Sequence, residues 1–278
     1  MSKDNVAPLR GAGFLAQIDD EWFVDGPKVA AAAAGLRAVN SSPVGYDRSL
    51  FAHWSDLDGN GCDARNDVLQ RDLSEVLLEA GSTCVVDRGT LHDPHSGAVI
   101  PFVRGVATSG AVHVDHIVPL AAAWTGGASD WDAGQREAFA NDPRNLQAMD
   151  GLLNSEKGAR LPSEWMPPNT AFHCLYLAQL TGVLAAYNLA VTPMDQDAII
   201  NGGTIDGVDF AGVNACVLPP RTADNSSEQA PPPASAPAGT IFDDPASIVA
   251  LAIVGLVIAA AASAIYLVAS ARSRNENP

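Results

Sequence analysis

From Ala111 to Val118 the side chains alternate. Val112, Val114 and His116 share one face, and His113, Asp115 and Ile117 the other, a period of two that predicts a short strand. Pro119 withholds a backbone donor and ends it. Asn145 to Met149 predicts a second short strand. Asp150-Gly151 then predicts a turn, and Leu152 to Lys157 the opening of a helix with Asn154 in its first turns. Other stretches carry helical spacing. Ser129 is placed to cap a helix through Trp131, Gln135 and Phe139, with Asp130 and Asp132 in its first turn. Leu175, Ala178, Leu184 and Tyr187 share a face over Ala171 to Tyr187, the signature of a core helix. Thr192-Pro193 starts another helix, Ala30 to Ala34 begins one leading into the domain, and Asp67 to Ala80 reads as one more.

The periodicity fails near the C-terminus. Pro219 to Pro245 is rich in Pro, Ala, Ser and Asp, too poor in apolar surface to fold, and predicts a solvated linker. Ile248 to Val268 is an unbroken run of apolar and small residues. About 21 residues rising roughly 1.5 Å each cover about 31 Å, the thickness of a bilayer's hydrocarbon core. The expected organisation is a segment with a short helix at 1–44, a catalytic domain at 45–218, a disordered linker at 219–247, a transmembrane helix at 248–268 and a basic tail at 269–278. Arg272 and Arg274 follow the apolar run, and Asp243 and Asp244 precede it, which favours a cytoplasmic tail and an extracytoplasmic domain. Met1 to Val24 contains acids and no continuous apolar stretch, which favours the alternative, a tail-anchored protein facing the cytoplasm.

Composition adds two constraints. The 278 residues suit one medium domain plus tails, and the formal net charge of −16 is unusual for a chain that meets nucleic acid. Arg65, Arg71, Arg104, Arg144, Lys157 and Arg160 supply the cations for a small basic rim. The four cysteines, Cys62, Cys84, Cys174 and Cys216, form no Cys-x-x-Cys pair. They predict two disulfides and an oxidising compartment, with four buried thiols as the alternative. Three connectivities exist; the sequential one, Cys62 with Cys84 and Cys174 with Cys216, closes the smaller loops and is the one expected. No repeat, Walker loop or Rossmann glycine pattern is present, so no nucleotide cofactor is expected.

The chemistry concentrates where the two short strands and the helix fall. Asp115, His116, Asn145 and Asn154 follow one another within one short segment. Hydrolysis of a phosphodiester needs a base for the water and a cation for the phosphate. Histidine titrates near neutrality, and Asp and Asn offer the hard oxygens that suit Mg²⁺, which accepts as few as one or two protein ligands. The pattern points to a metal-dependent nuclease acting on DNA, largely independent of sequence, with Mg²⁺ as the expected ion and Mn²⁺ or Zn²⁺ as alternatives.

The same residues resemble the HNH endonuclease family, whose catalytic unit is a ββα-metal fold. Asp115-His116-Ile117-Val118-Pro119, the Asn145-Leu146 pair, and Asn154 with Lys157-Gly158 carry the resemblance. Tyr46-Asp47-Arg48, Asn60 to Asp67, Gly89 to Pro94 and Trp165 to Asn169 extend it to the bacterial extracellular branch related to the C-terminal domain of GmrSD-type restriction enzymes. The resemblance implies an α+β domain with added helices. It makes Asp115 and Asn154 metal ligands, His116 the general base, and Asn145 the brace of the loop carrying that histidine. It brings Arg65 towards the active site as a phosphate-binding residue. The chain departs from the family where Ala159-Arg160 follows Lys157-Gly158, and the Gly-rich run Asn201 to Gly212 looks like an insertion.

Several residues carry two readings. His113 shares the face of Asp115 and is a candidate for substrate contact, with Lys157 and Arg144, or a structural residue. Asp56, Asp58 and Asn60 copy the first half of an EF-hand loop, with Asp67 at the twelfth position, so structural Ca²⁺ stands beside a plain hydrogen-bonded acidic turn. His92 and His95 flank a turn at Asp93-Pro94, and His53 and His173 read as structural. The alternative to a nuclease is a membrane-tethered binding or adhesion module, either a catalytically inactive HNH fold or one stabilised by Ca²⁺. DNA and a lipid bilayer are the expected partners.

Overall fold

The computed structural model describes residues 13–18 and 21–218. The linker, the apolar run Ile248 to Val268 and the basic tail lie outside the described residues; among those described, no helix is long and apolar enough to cross a membrane. The first elements are an antiparallel ribbon of β1 (Leu15–Ile18) and β2 (Glu21–Val24). Helix α1 (Gly26–Ala34) follows because Asp25 accepts from Lys28 N and Pro27 sits in the first turn, where its missing N–H has no helical partner to lose. Val29 and Ala33 of this helix are fully buried in the main core. The residues before 45, expected as a separate segment, therefore share a core with those that follow.

Helix α2 (Ala64–Asp72) is capped by Asp63 and stops at Leu73, so the helix expected over Asp67 to Ala80 exists only in its first part. Leu73–Leu78 is instead strand β3, antiparallel to β4 (Val86–His92), which pairs in turn with β5 (Val99–Val103). Leu73, Val86, Leu91 and Phe102 are buried in one cluster, and Glu75 takes a φ of +52° where the register shifts. Pairing and burial with distant residues outweigh the local helical spacing.

The two predicted strands form as β6 (Val112–His116) and, after helices α3 (Leu120–Gly126) and α4 (Ala133–Ala140), β7 (Leu146–Asp150). Helix α4 starts a turn later than expected. Asp132, not Ser129, caps it through a reciprocal box with Gln135, which satisfies two backbone donors at once. Helix α5 (Gly151–Lys157) starts directly from β7, with Asp150 accepting from Leu152 N and Leu153 N. Helices α6 (His173–Ala186) and α7 (Pro193–Asn201) lie where their spacing placed them, the second capped by Thr192. The Gly-rich run is a hairpin of β8 (Gly202–Ile205) and β9 (Val208–Ala211). Asp206 and Gly207 both take positive φ there, as a tight two-residue turn requires.

The β6–β7 ladder divides two cores. Val112, Val114, Leu146 and Ala148 pack in the smaller one with α2 and the three-stranded sheet. Ile117, Val118 and Met149 belong to the larger one with α1, α3, α4, α6 and α7. Each fully buried aliphatic side chain contributes roughly 1.5–3 kcal/mol, so both faces of the ladder are anchored. The disulfides pair sequentially as expected: Cys62 with Cys84 and Cys174 with Cys216, over 22 and 42 residues. In the chain-entropy picture each is worth roughly 3–4 kcal/mol.

Candidate active site

β6 and β7 pair in a register that sets Asp115 opposite Gln147 and His116 opposite Leu146. Beyond this pairing the chain leaves the ladder through a joint made by Asn145. Its backbone oxygen accepts from Ile117 N at 2.7 Å, its side-chain oxygen accepts from Val118 N at 2.8 Å, and its amide donates to Val118 O at 3.3 Å. Asn145 is fully buried, so these bonds act where water cannot compete. Asn145 thus fixes the residues that follow His116.

His116 is buried, and its ring is held on two sides. Nε2 donates to Ala140 O at 2.8 Å, and Trp54 stacks on the ring at 6.0 Å between centroids. A carbonyl can only accept, so the proton sits on Nε2 and the lone pair on Nδ1. Burial pushes the imidazole down to about 4; Arg48 and Lys157 push the same way, against the Ala140 carbonyl and Asp115. His116 is therefore a neutral imidazole of fixed tautomer at neutral pH. Trp54 holds its own position at a φ of +68°, in the left-handed region that a bulky side chain seldom adopts.

Asp115 and Asn154 stand across from each other on β6 and α5. Lys157, expected on the rim, is fully buried: its ammonium lies 2.5 Å from Asp115 Oδ2 and donates to His116 O at 2.8 Å. Asn154 Nδ2 donates to His113 Nδ1 at 3.3 Å, so His113 acts on the helix residue. Gly151 makes this closeness possible, since a Cβ there would lie 2.0 Å from Gly110 O and 3.1 Å from the His113 ring. Among the described residues Asp115 Oδ1 and Asn154 Oδ1 make no hydrogen bond.

Asp115, His116 and Asn154 line one cleft of about 300 Å³ with Tyr46 and Arg48. Arg48 belongs to the motif Tyr46-Asp47-Arg48, but nothing in its sequence neighbours marks it as a site residue. Arg65 does not line this cleft: burial and the neighbouring Arg104 lower its pKa, against Asp63. Arg144 lines a different cleft, of about 500 Å³, with Arg71 and Tyr187. None of Arg65, Arg144 and Lys157, expected around the site, lines the cleft that holds His116.

The acidic loop closes on itself. Asp56 accepts from Gly59 N and Gly61 N, Asp58 from Asn60 N and its amide, and Asn60 donates to Asp67. Asp93 accepts from His95 N, Ser96 N and Ser96 Oγ in a turn, and His95 packs on Phe172. His53 meets Phe51 O and His173 meets Pro167 O, both structural contacts.

The residues of the smaller cleft fit a hard cation. Two side-chain oxygens, on Asp115 and Asn154, are without hydrogen bonds, and the ammonium of Lys157 takes the other Asp115 oxygen. Among the described residues no group of three or more His, Cys, Asp or Glu is arranged to hold a metal. A cation bound by two protein oxygens fills its shell with water and phosphate, a habit of Mg²⁺; structural zinc takes four ligands, often thiolates and imidazoles.

A profile described as "GmrSD restriction endonucleases, C-terminal domain" matches residues 63–201. An "Uncharacterized secreted protein" of Arthroderma benhamiae is 34% identical over 157 residues, 56% of this chain and 72% of that protein. No solved structure matches.

Proposed function

The chain belongs to the family of GmrSD restriction endonuclease C-terminal domains, and on that premise we propose that it is a metal-dependent endonuclease with a ββα-metal centre that hydrolyses DNA. The observation that carries this is the shared cleft of Asp115, His116 and Asn154. Asp115 and Asn154 are the residues that would hold Mg²⁺, or Mn²⁺ in its place. When bound, the cation would offset charge on the scissile phosphate and on the leaving 3′ oxygen.

The protein's own groups do the rest. His116 accepts a proton from water at Nδ1, the ring nitrogen its tautomer leaves unprotonated; the water oxygen attacks phosphorus as the bond to the 3′ oxygen breaks, and the departing 3′ oxygen takes a proton from solvent. The imidazolium formed is stabilised by the Ala140 carbonyl. Asn145 keeps the following residues from drifting, and Lys157 keeps the Asp115 carboxylate aimed by holding one of its oxygens.

Two disulfides and the description of the relative as secreted support an extracytoplasmic domain. The apolar run Ile248 to Val268, followed by Arg272 and Arg274, supports a tether to a bilayer.

Incubation of the full chain with plasmid and Mg²⁺ tests the activity. The wild type is expected to nick and linearise it. His116→Ala is expected to cut the rate by about 10²–10⁴-fold while still unfolding cooperatively, at a lower temperature because a buried ring and its bond to Ala140 O are lost. Cleavage by His116→Ala at the wild-type rate, or a wild type inert with both Mg²⁺ and Mn²⁺, overturns the proposal.

A further inference from the structure

The protein is acidic, and a phosphodiester entering the smaller cleft needs a cation to meet it. Among the described residues, every lysine and arginine except Arg48 and Arg65 donates to a carboxylate or to a carbonyl oxygen. Arg65 does not line the cleft that holds His116, and Arg48 does. Arg48 is exposed, makes no side-chain hydrogen bond or ion pair, and is close enough to His116 for its charge to act on the ring.

The position of Arg48 is built, although it comes from an exposed segment far along the chain from β6. Asp47 caps the turn Arg48–Leu50 by accepting from Ser49 N and Ser49 Oγ, each at 2.8 Å. Tyr46 packs its ring 6.2 Å from Trp124 and 6.3 Å from Phe51. Phe51 is fully buried in the larger core, so the turn is pinned from both sides.

We propose that Arg48 is the substrate-binding residue of the cleft, donating from its guanidinium to a phosphate of the nucleic acid before and during cleavage. The inference rests on the nuclease reading, and it assigns to Arg48 the contact that the sequence pattern assigned to Arg65. A planar fork of N–H donors matches two phosphate oxygens and does not lose its charge at any working pH.

The test is binding of a labelled single-stranded DNA oligonucleotide to the full chain in EDTA, over a series of salt concentrations, with cleavage followed separately in Mg²⁺. Arg48→Gln is expected to weaken binding about tenfold and to reduce the slope of log Kd against log salt by about 1, while Arg88→Gln, an equal charge change at a surface pair, stays within about twofold of wild type. Arg48→Lys is expected to restore the salt slope and only part of the affinity. In Mg²⁺ the loss is expected mainly in KM. Arg48→Gln binding within about twofold of wild type, or Arg65→Gln showing the loss in its place, overturns the inference. A wild type that binds through Arg48 but cleaves nothing sinks the nuclease reading alone, and an Arg48→Gln variant that binds and cleaves as the wild type does sinks this inference alone.

Discussion

Two clefts in the domain differ in the opposite sense from their sizes. The larger, about 500 Å³, contains Arg71, Arg144 and Tyr187. Arg144 pairs with Asp142 at 2.5 Å, with its guanidinium 5.9 Å from the Tyr187 ring centre. Arg71 donates to Asp72, Pro143 O and Leu146 O. Its arginines are paired, and its carboxylates Asp58 and Asp67 both accept from Asn60. The smaller cleft, about 300 Å³, keeps a free guanidinium, two free oxygens and a buried neutral imidazole. Arg144 faces one cleft while its neighbour Asn145 braces the other. Volume records how elements pack, whereas polar groups without partners record where a ligand belongs.

The sharpest test of this contrast is Lys157→Met. It leaves the Asp115 carboxylate buried without its cation, and a loss of about 3–5 kcal/mol is expected in urea unfolding. Adding Asp115→Asn to the same chain is expected to recover most of it. A single-variant loss under about 1 kcal/mol would mean that the pair bears no more than an exposed one.

Asp142→Asn probes the larger cleft and is expected to cost about 2 kcal/mol at neutral pH, through its charged bonds to Arg144 and its bond to Tyr187. Burial raises the Asp142 pKa, but the bonds from Arg144 and Tyr187 outweigh it and hold the carboxyl below its ordinary value. A lowered carboxyl pKa stabilises the fold above the ordinary value of about 3.9, and that contribution fades as pH falls through the lowered value. The gap in unfolding free energy between wild type and Asp142→Asn should therefore narrow below about pH 4. A gap constant with pH would refute the assignment. The smallest effect is expected from Arg144→Gln, about 1 kcal/mol or less, because the guanidinium is half exposed. Its DNA cleavage should match the wild type within about twofold, and a larger loss would move the substrate into the larger cleft.

The legible parts of the molecule were local. The strand of alternating residues before Pro119 and the helix carrying Asn154 follow from neighbours in sequence, and so does the cap of α7; the turn expected at Asp150-Gly151 is instead a direct strand-to-helix junction. The disulfides followed from counting loops. What stayed hidden depends on distant partners. Leu73–Leu78 has helical spacing but is drawn into a sheet by Val86–His92. Lys157 reads as a surface cation until Asp115 is brought beside it, 42 residues away. Arg48 and Arg65 cannot be ranked from sequence, because the choice rests on which of them packing sets beside His116. Ser129 lost its role to Asp132 because only the latter has a glutamine three residues on.

The Cys174–Cys216 bridge has a mechanical consequence. Cys216 follows the β8–β9 hairpin where the chain runs on towards Pro219, and the bridge joins that point to the start of α6, whose side chains fill the larger core. Tension applied at this exit would pass straight into the central helix and bypass α7 and the β8–β9 hairpin. With the bridge reduced, the same pull would peel those outer elements away one after another.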